Sequence, residues 1–283
     1  MEARVNGTRL FYTRIGSGRL LLVMHGGLGW DHTYLRPSLD ALGGQATVIY
    51  YDHRGNGRSA APDDWTSVDH ATWTGDADAL RNHLGDERIV LFGHSYGGFL
   101  ALEYALRYPD RLDGLILCAT GPAFVHQEVA IANAQERGTP DQVQTLLDLL
   151  SRPVAQTSAL RSGIKAILSI YFHDPDEAPL DRITDEMTFC VQAFNRASFH
   201  CLPHYDVRDR LSAIDVPALV VGGRDDWIMP PACSVEPLGA SLPNAETTIF
   251  ERSGHFPFIE ERPLFAEVVT EWLYRLPERN RRR

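Results

Sequence analysis

The serine of Gly93-His94-Ser95-Tyr96-Gly97-Gly98 lies between the apolar run Ile89-Val90-Leu91-Phe92 and an amphipathic stretch from Phe99 to Leu106. A serine hydroxyl becomes a useful nucleophile at neutral pH only when a base takes its proton and a carboxylate holds that base. A strand-to-helix turn at Ser95 would hold the serine in a strained backbone conformation, with Gly93 and Gly97 removing the Cβ atoms that would collide there. The following helix would aim its first N–H groups, that of Tyr96 among them, at a developing oxyanion. His94 adjoins Ser95 in the chain and cannot fold back as its base, so it reads as a packed or hydrogen-bonded wall residue. A bare G-x-S-x-G arises by chance in roughly one such chain in ten, and the position between strand and helix gives it meaning.

Three further pieces are needed. His25-Gly26-Gly27-Leu28-Gly29 follows the apolar strand ending at Met24, and its glycines leave backbone N–H groups approachable, so Gly27 and Tyr96 are the expected oxyanion donors. Gly222-Gly223-Arg224-Asp225-Asp226-Trp227 follows the strand at 217–221 and supplies the acid. Asp225 and Asp226 compete for this role, with Asp226 preferred and the other read as an exposed turn or capping residue. Ser253-Gly254-His255-Phe256 follows the strand at 246–250, and of the eleven histidines only His255 combines that placement with the chain order Ser, Asp, His.

The elements around these residues alternate. Asn6-Gly7 and Gly16-Ser17-Gly18 mark turns, so residues 2–24 read as a β-meander ending in the strand Leu20 to Met24. Strands at about 46–51, 88–92 and 114–118 then alternate with helical patterns at about 31–42, 70–84 and 96–108, which signals a parallel sheet. The pattern resumes with a strand at 217–222, a helix near 231–241, a strand near 246–250 and a helix near 263–276. Residues 121–205 are rich in helix formers and carry no strong strand, so they read as a helical cap inserted between sheet strands. The core is then 1–120 with 206–283. The fold class expected is α/β, with a mostly parallel central sheet flanked by helices.

Bulk properties exclude several functions. With 27 Lys and Arg against 37 Asp and Glu, the formal charge of −10 repels a polyanion, so nucleic acid is not an expected partner. Cys118, Cys190, Cys201 and Cys233 show no C-x-x-C spacing and read as free thiols rather than a zinc site or disulfide framework. Neither a metal nor an organic cofactor is implied. No apolar signal core opens the chain and no run approaches the roughly 18 apolar residues of a membrane helix, so a cytoplasmic protein off the membrane is expected. Arg279 to Arg283 read as a solvated tail.

Taken together, these residues resemble the α/β-hydrolase superfamily over nearly the whole chain apart from the cap. His25-Gly26-Gly27, Tyr51-Asp52-His53-Arg54-Gly55-Asn56-Gly57-Arg58-Ser59, Gly93 to Gly98 and Tyr104 to Pro109 look like its proline iminopeptidase branch. That resemblance implies removal of N-terminal residues, often proline, from short peptides. It places the acid in a G-x-x-D-x-x-x-P pattern, which selects Asp226 through Gly223 and Pro230, and it makes Asp52 and Arg54 structural braces. Two departures stand out: Leu28 where the iminopeptidases usually have proline, and Trp227 where relatives place an amine-binding glutamate. A carboxylate from the run Tyr171 to Glu177 is one possible replacement, with a solvated acidic loop the simpler reading. Leu28, Trp227 and Phe194 are the expected substrate-contacting residues, and Phe189 and Phe199 serve either the pocket or the core. The leading expectation is a serine hydrolase of iminopeptidase type acting on a small molecule or short peptide. Its rivals are a carboxylesterase or lactonase with the same triad and a slow-turnover binding protein on the same fold.

Overall fold

A computed structural model describes residues 1–27 and 29–277. Leu28 and the arginine-rich end lie outside the described residues. The chain builds one eight-stranded sheet from β1 (Glu2–Val5), β2 (Thr8–Ile15), β3 (Arg19–Met24), β4 (Ala46–Tyr51), β5 (Ile89–His94), β6 (Leu112–Cys118), β7 (Ala218–Gly223) and β8 (Ala245–Phe250). Its order is β1-β2-β4-β3-β5-β6-β7-β8, with β1 and β2 antiparallel and the rest parallel. The expected meander therefore stops at β2. This strand pairs with β4, and β3 sits between β4 and β5. The apolar run Leu20-Leu21-Leu22-Val23-Met24 explains the crossing, since such a run needs cover on both faces and an edge position would expose one.

Alternation along the strands sorts side chains onto two faces. Leu20, Leu22, Met24, Ile49, Leu91 and Leu117 pack towards α1 (His70–His83), α2 (Tyr96–Arg107) and, after the segment described next, α8 (Val235–Ser241). On the opposite face, Leu21, Val23, Val48, Phe92 and Ile116 pack towards the C-terminal helix and the inserted helices. The inserted segment runs between β6 and β7 and contains α3 (Gln127–Arg137), α4 (Pro140–Ser151), α5 (Thr157–Ile167), α6 (Leu180–Glu186) and α7 (Val191–Arg196), the last continuing into a π-turn, Ala197–Cys201. After β8 come the short α9 (Pro257–Glu260) and α10 (Arg262–Arg275).

Local signals account for several helix starts. Asp69 accepts the Thr72 N–H at 2.8 Å to cap α1, and Thr139 with Gln142 forms a reciprocal capping box at α4, with Pro140 in the first turn. The helix expected at 31–42 is instead two 3₁₀ turns, Thr33–Leu35 and Leu39–Gly44. Pro37 is the reason: it has no N–H to give and forces Arg36 into the extended region at φ −93°, ψ 149°. The helix expected near 231–241 likewise divides into a 3₁₀ turn, Pro231–Cys233, and α8.

Candidate active site

The carboxyl ends of β3, β5, β7 and β8 converge on one point, and each carries a piece of the site. Ser95 follows β5 at φ 53°, ψ −121°, a positive φ rarely taken by a residue with a side chain. Its N–H is held by the Cys118 carbonyl at 2.9 Å, and its own carbonyl accepts the Gly98 N–H at 2.9 Å. A Cβ on Gly97 would overlap the carbonyl oxygens of Met24 and His25, and one on Gly93 would overlap the Gly97 carbonyl and Ala101. Only glycines let the turn press this closely against the end of β3. Ser95 thus stands at the N-terminus of the 12-residue α2, where the first backbone N–H groups have no partner within the helix.

Gly27 lies across from this turn at φ 64°, with the Trp30 indole packed where a side chain would begin. Behind it, the Tyr34 hydroxyl accepts the Gly26 N–H and donates to His94 Nδ1, each at 2.7 Å. His94 Nε2–H then donates to the His255 carbonyl at 3.0 Å. Burial holds His94 well below the ordinary histidine range, which keeps it neutral and fits one accepting and one donating nitrogen. The residue beside Ser95 therefore joins the glycine loop, the serine turn and the histidine loop into one hydrogen-bonded chain. The sequence reads His94 as a wall residue and carries no signal for Tyr34, which is 60 residues away.

His255 and Asp226 form the remaining pair. His255 Nδ1 lies 2.7 Å from Asp226 Oδ2, and the second carboxylate oxygen accepts the N–H groups of Ile228 and Met229 at 3.1 and 3.0 Å. Both side chains are buried. With Nδ1–H given to Asp226, the Nε2 lone pair of His255 is free to accept a proton. Asp225, the competing acid, points elsewhere: it bonds the His173 ring and lies 3.8 Å from Arg137. The geometry brings only Asp226 to His255.

The braces expected in the 51–59 loop are present. Asp52 accepts from His32 Nδ1 at 2.6 Å and the Arg58 N–H at 2.8 Å, while Arg54 makes a two-pronged pair with Asp76.

Ser95, His255, Gly27 and Tyr96 line one cavity of about 270 Å³. Its far walls are apolar: Leu146, Leu149 and Leu150 from α4, Ile164 and Ile167 from α5, and Phe124. Among the described residues that line it there is no Asp, Glu, Lys or Arg. Phe194 and Phe199 line the cavity, whereas Phe189 packs edge-on against Trp30 and beneath Arg161. Trp227 is not at the wall. It is buried behind Tyr171, edge to face at 5.1 Å, because the turn that gives the 228 and 229 N–H groups to Asp226 carries its ring away from the cavity. Leu28 lies outside the described residues. Of the acidic run, His173, Asp174 and Glu177 line a separate pocket bounded by Arg252, Glu260 and Glu261. Tyr171 reaches the cavity, and its carbonyl accepts the His255 N–H at 2.7 Å.

Comparison with known proteins identifies the family of the chain. Residues 19–262 match the family described as alpha/beta hydrolase fold. A proline iminopeptidase of Saccharolobus solfataricus is 28% identical over 285 residues, covering 95% of this chain and 90% of that protein. One of Lactiplantibacillus plantarum is 28% identical over 284 residues, covering 95% and 98%. Among solved structures, the enol-lactonase of Burkholderia xenovorans superposes with a TM-score of 0.77 at 25% identity, covering 97% of this chain and all of that one. The chain belongs to the α/β-hydrolase fold family, and its sequence is similar to the proline iminopeptidase branch.

Proposed function

We propose that the protein is a serine hydrolase that cleaves esters, thioesters or lactones of apolar acyl groups through an acyl-enzyme. Ser95 Oγ attacks the acyl carbon as its proton passes to His255 Nε2, and Asp226 steadies the imidazolium that forms. The carbonyl oxygen becomes an oxyanion facing the backbone N–H groups of Gly27 and Tyr96. Collapse breaks the acyl–oxygen or acyl–sulfur bond, and the leaving group departs with the proton from His255. A water molecule, deprotonated by the same nitrogen, then attacks the acyl-serine, releasing a carboxylic acid and restoring Ser95. The helices of 121–205 act as the cap, with Phe194 at the acyl wall. The substrate is a small molecule, and the chemistry uses no cofactor.

The predominantly apolar wall of the cavity, with no carboxylate among the described residues that line it, carries this choice of substrate. An aminopeptidase must bury its substrate's ammonium, and an unpaired ammonium in such a site costs several kcal/mol. The iminopeptidase reading has its own support in the 28% identical relatives of that name. Aryl esters of graded acyl length and proline anilide, assayed side by side with Ser95→Ala as control, separate the two. Ester turnover at roughly 1 per second or faster, dependent on Ser95 and without anilide cleavage, is expected and also dismisses a slow binding protein. Anilide cleavage exceeding ester turnover overturns the apolar-acyl assignment.

A further inference from the structure

The His255 loop is held from outside the triad by the two acids that follow it. Glu261 Oε2 accepts the Arg252 N–H at 2.9 Å and the Ser253 hydroxyl at 2.7 Å. Glu260, at the end of α9, uses its two oxygens differently. Oε2 accepts the Gly254 N–H at 2.8 Å, next to His255 in the chain, and Oε1 accepts the His173 N–H at 2.6 Å from the inserted segment. Residues 171–173 form a strap over the triad loops: the Tyr171 carbonyl takes the His255 N–H, the Phe172 carbonyl takes Arg137, and the His173 ring reaches Asp225. Asp225 in turn gives its own N–H to the Ser253 carbonyl at 3.0 Å.

The geometry points to Glu260 as a positioning residue for the hydrolytic reaction, a carboxylate latch that fixes the inserted strap and the His255 loop in one register and so holds His255 in place over Ser95. A carboxylate suits this post because two separate N–H donors converge on it, one to each oxygen. Glutamine accepts through one oxygen only and turns an N–H₂ group on the other donor. A protonated glutamic acid has the same defect, since its O–H also faces a donor. Charged and titratable groups around Glu260 are His173 on the strap, Asp174 and Glu177 beyond it in the inserted segment, Arg252 on the loop and Glu261 beside it. Burial pushes the Glu260 carboxyl up to about 7 in spite of its backbone donors. Acidification therefore releases one arm of the latch.

This inference rests on the serine-hydrolase reading, and the test keeps the two separable. In the full-length protein, Glu260→Gln is expected to lower kcat for an aryl ester by about tenfold or more with KM changed less than about threefold, and to slow fluorophosphonate labelling of Ser95 in proportion. Glu177→Gln, from the same surface pocket, changes neither. The acid limb of kcat/KM is expected to fall more steeply than one ionisation in the unsubstituted enzyme and to return to a single ionisation in Glu260→Gln. Wild-type kcat and labelling in a folded Glu260→Gln protein overturns the latch. If that variant does not fold, Glu260→Asp decides, because its side chain is one methylene too short to reach both donors, and wild-type kcat and labelling in folded Glu260→Asp protein overturns the latch. Failure of the unsubstituted enzyme to label at all, or turnover by Ser95→Ala, would instead refute the underlying serine-hydrolase reading.

Discussion

Replacing Tyr34 by phenylalanine removes one oxygen and breaks the chain that joins the three parts of the site. The ring keeps its edge-to-face contacts with Trp30 at 5.7 Å and Phe256 at 5.9 Å, so packing is nearly unchanged. The Gly26 N–H and His94 Nδ1 are left behind, both buried, where water cannot replace the lost hydroxyl. Each stranded group costs about 1–3 kcal/mol, which sums to about 2–6 kcal/mol for the pair. A chain of 283 residues has an unfolding entropy of roughly 0.6 kcal/mol/K near its transition, so a loss of about 3 kcal/mol lowers the melting midpoint by about 5 °C. Activity falls as well, because the Gly27 N–H follows Gly26 and the His255 carbonyl hangs from His94. Complete loss of an oxyanion donor costs about 10²–10³ in kcat, and a donor held loosely rather than removed is expected to cost about tenfold. Thermal unfolding and aryl-ester turnover measure both effects, with Tyr274→Phe, on a side chain that is largely exposed, as control. A Tyr34→Phe midpoint and kcat matching that control would refute the reasoning.

Asp226→Asn should lower kcat by about 10³ or more, since the amide no longer stabilises the imidazolium, and the loss for Asp225→Asn should be at least about 100-fold smaller; comparable losses would undo the assignment of the acid. Leu150→Trp, which fills part of the cavity wall, should lower kcat/KM for an octanoyl ester by about tenfold or more relative to an acetyl ester, and an unchanged chain-length profile contradicts the acyl-pocket assignment. Burial holds His25 down, His53 and His94 further down, and His70 at about 4, so the unfolded chain gains protons near pH 6.5 that the fold refuses. Stability is then full above that pH and lost below it; going from pH 7 to 5 costs about 2 kcal/mol through His70 alone, with Glu260 working in the opposite sense, and His70→Asn should remove that share of the pH dependence in urea unfolding.

The parts of the site visible in the sequence are those whose physics is local. The serine turn needs glycines two residues to either side, and the order of strand ends places an acid and a histidine in successive loops. Partners reached only through the fold leave no such trace: His94 meets His255 across 161 residues, and Glu260 meets the strap across 87. Even nearby readings fail where a tertiary choice intervenes. Trp227 follows the acid directly, yet the turn that satisfies Asp226 through the 228 and 229 amides sends its ring behind Tyr171. The pattern at 31–42 has helical spacing, but Pro37 overrides it, and the turn glycines before β3 suggested a meander because the claim of β4 on β2 is not written locally.

The proposed reactive groups and the proposed acyl wall come from different layers, and this bears on how far a relative's name can carry. Ser95, Asp226, His255 and Gly27 follow the ends of β5, β7, β8 and β3 and are fixed by the register of the sheet. The wall is a helix pair: Leu146, Leu149 and Leu150 occupy i, i+3 and i+4 positions on α4 and face Ile164 and Ile167, spaced i, i+3, on α5. Gly163 lets α5 approach closely enough for Leu149 to pack on its backbone. A carboxylate placed in that pair would have to displace aliphatic side chains already packed against one another, at the cost of burying a charge with no partner among them. On the proposed reading, substrate preference is therefore set by how two inserted helices pack, and it can diverge from that of the iminopeptidases while the proposed reactive groups stay where they are.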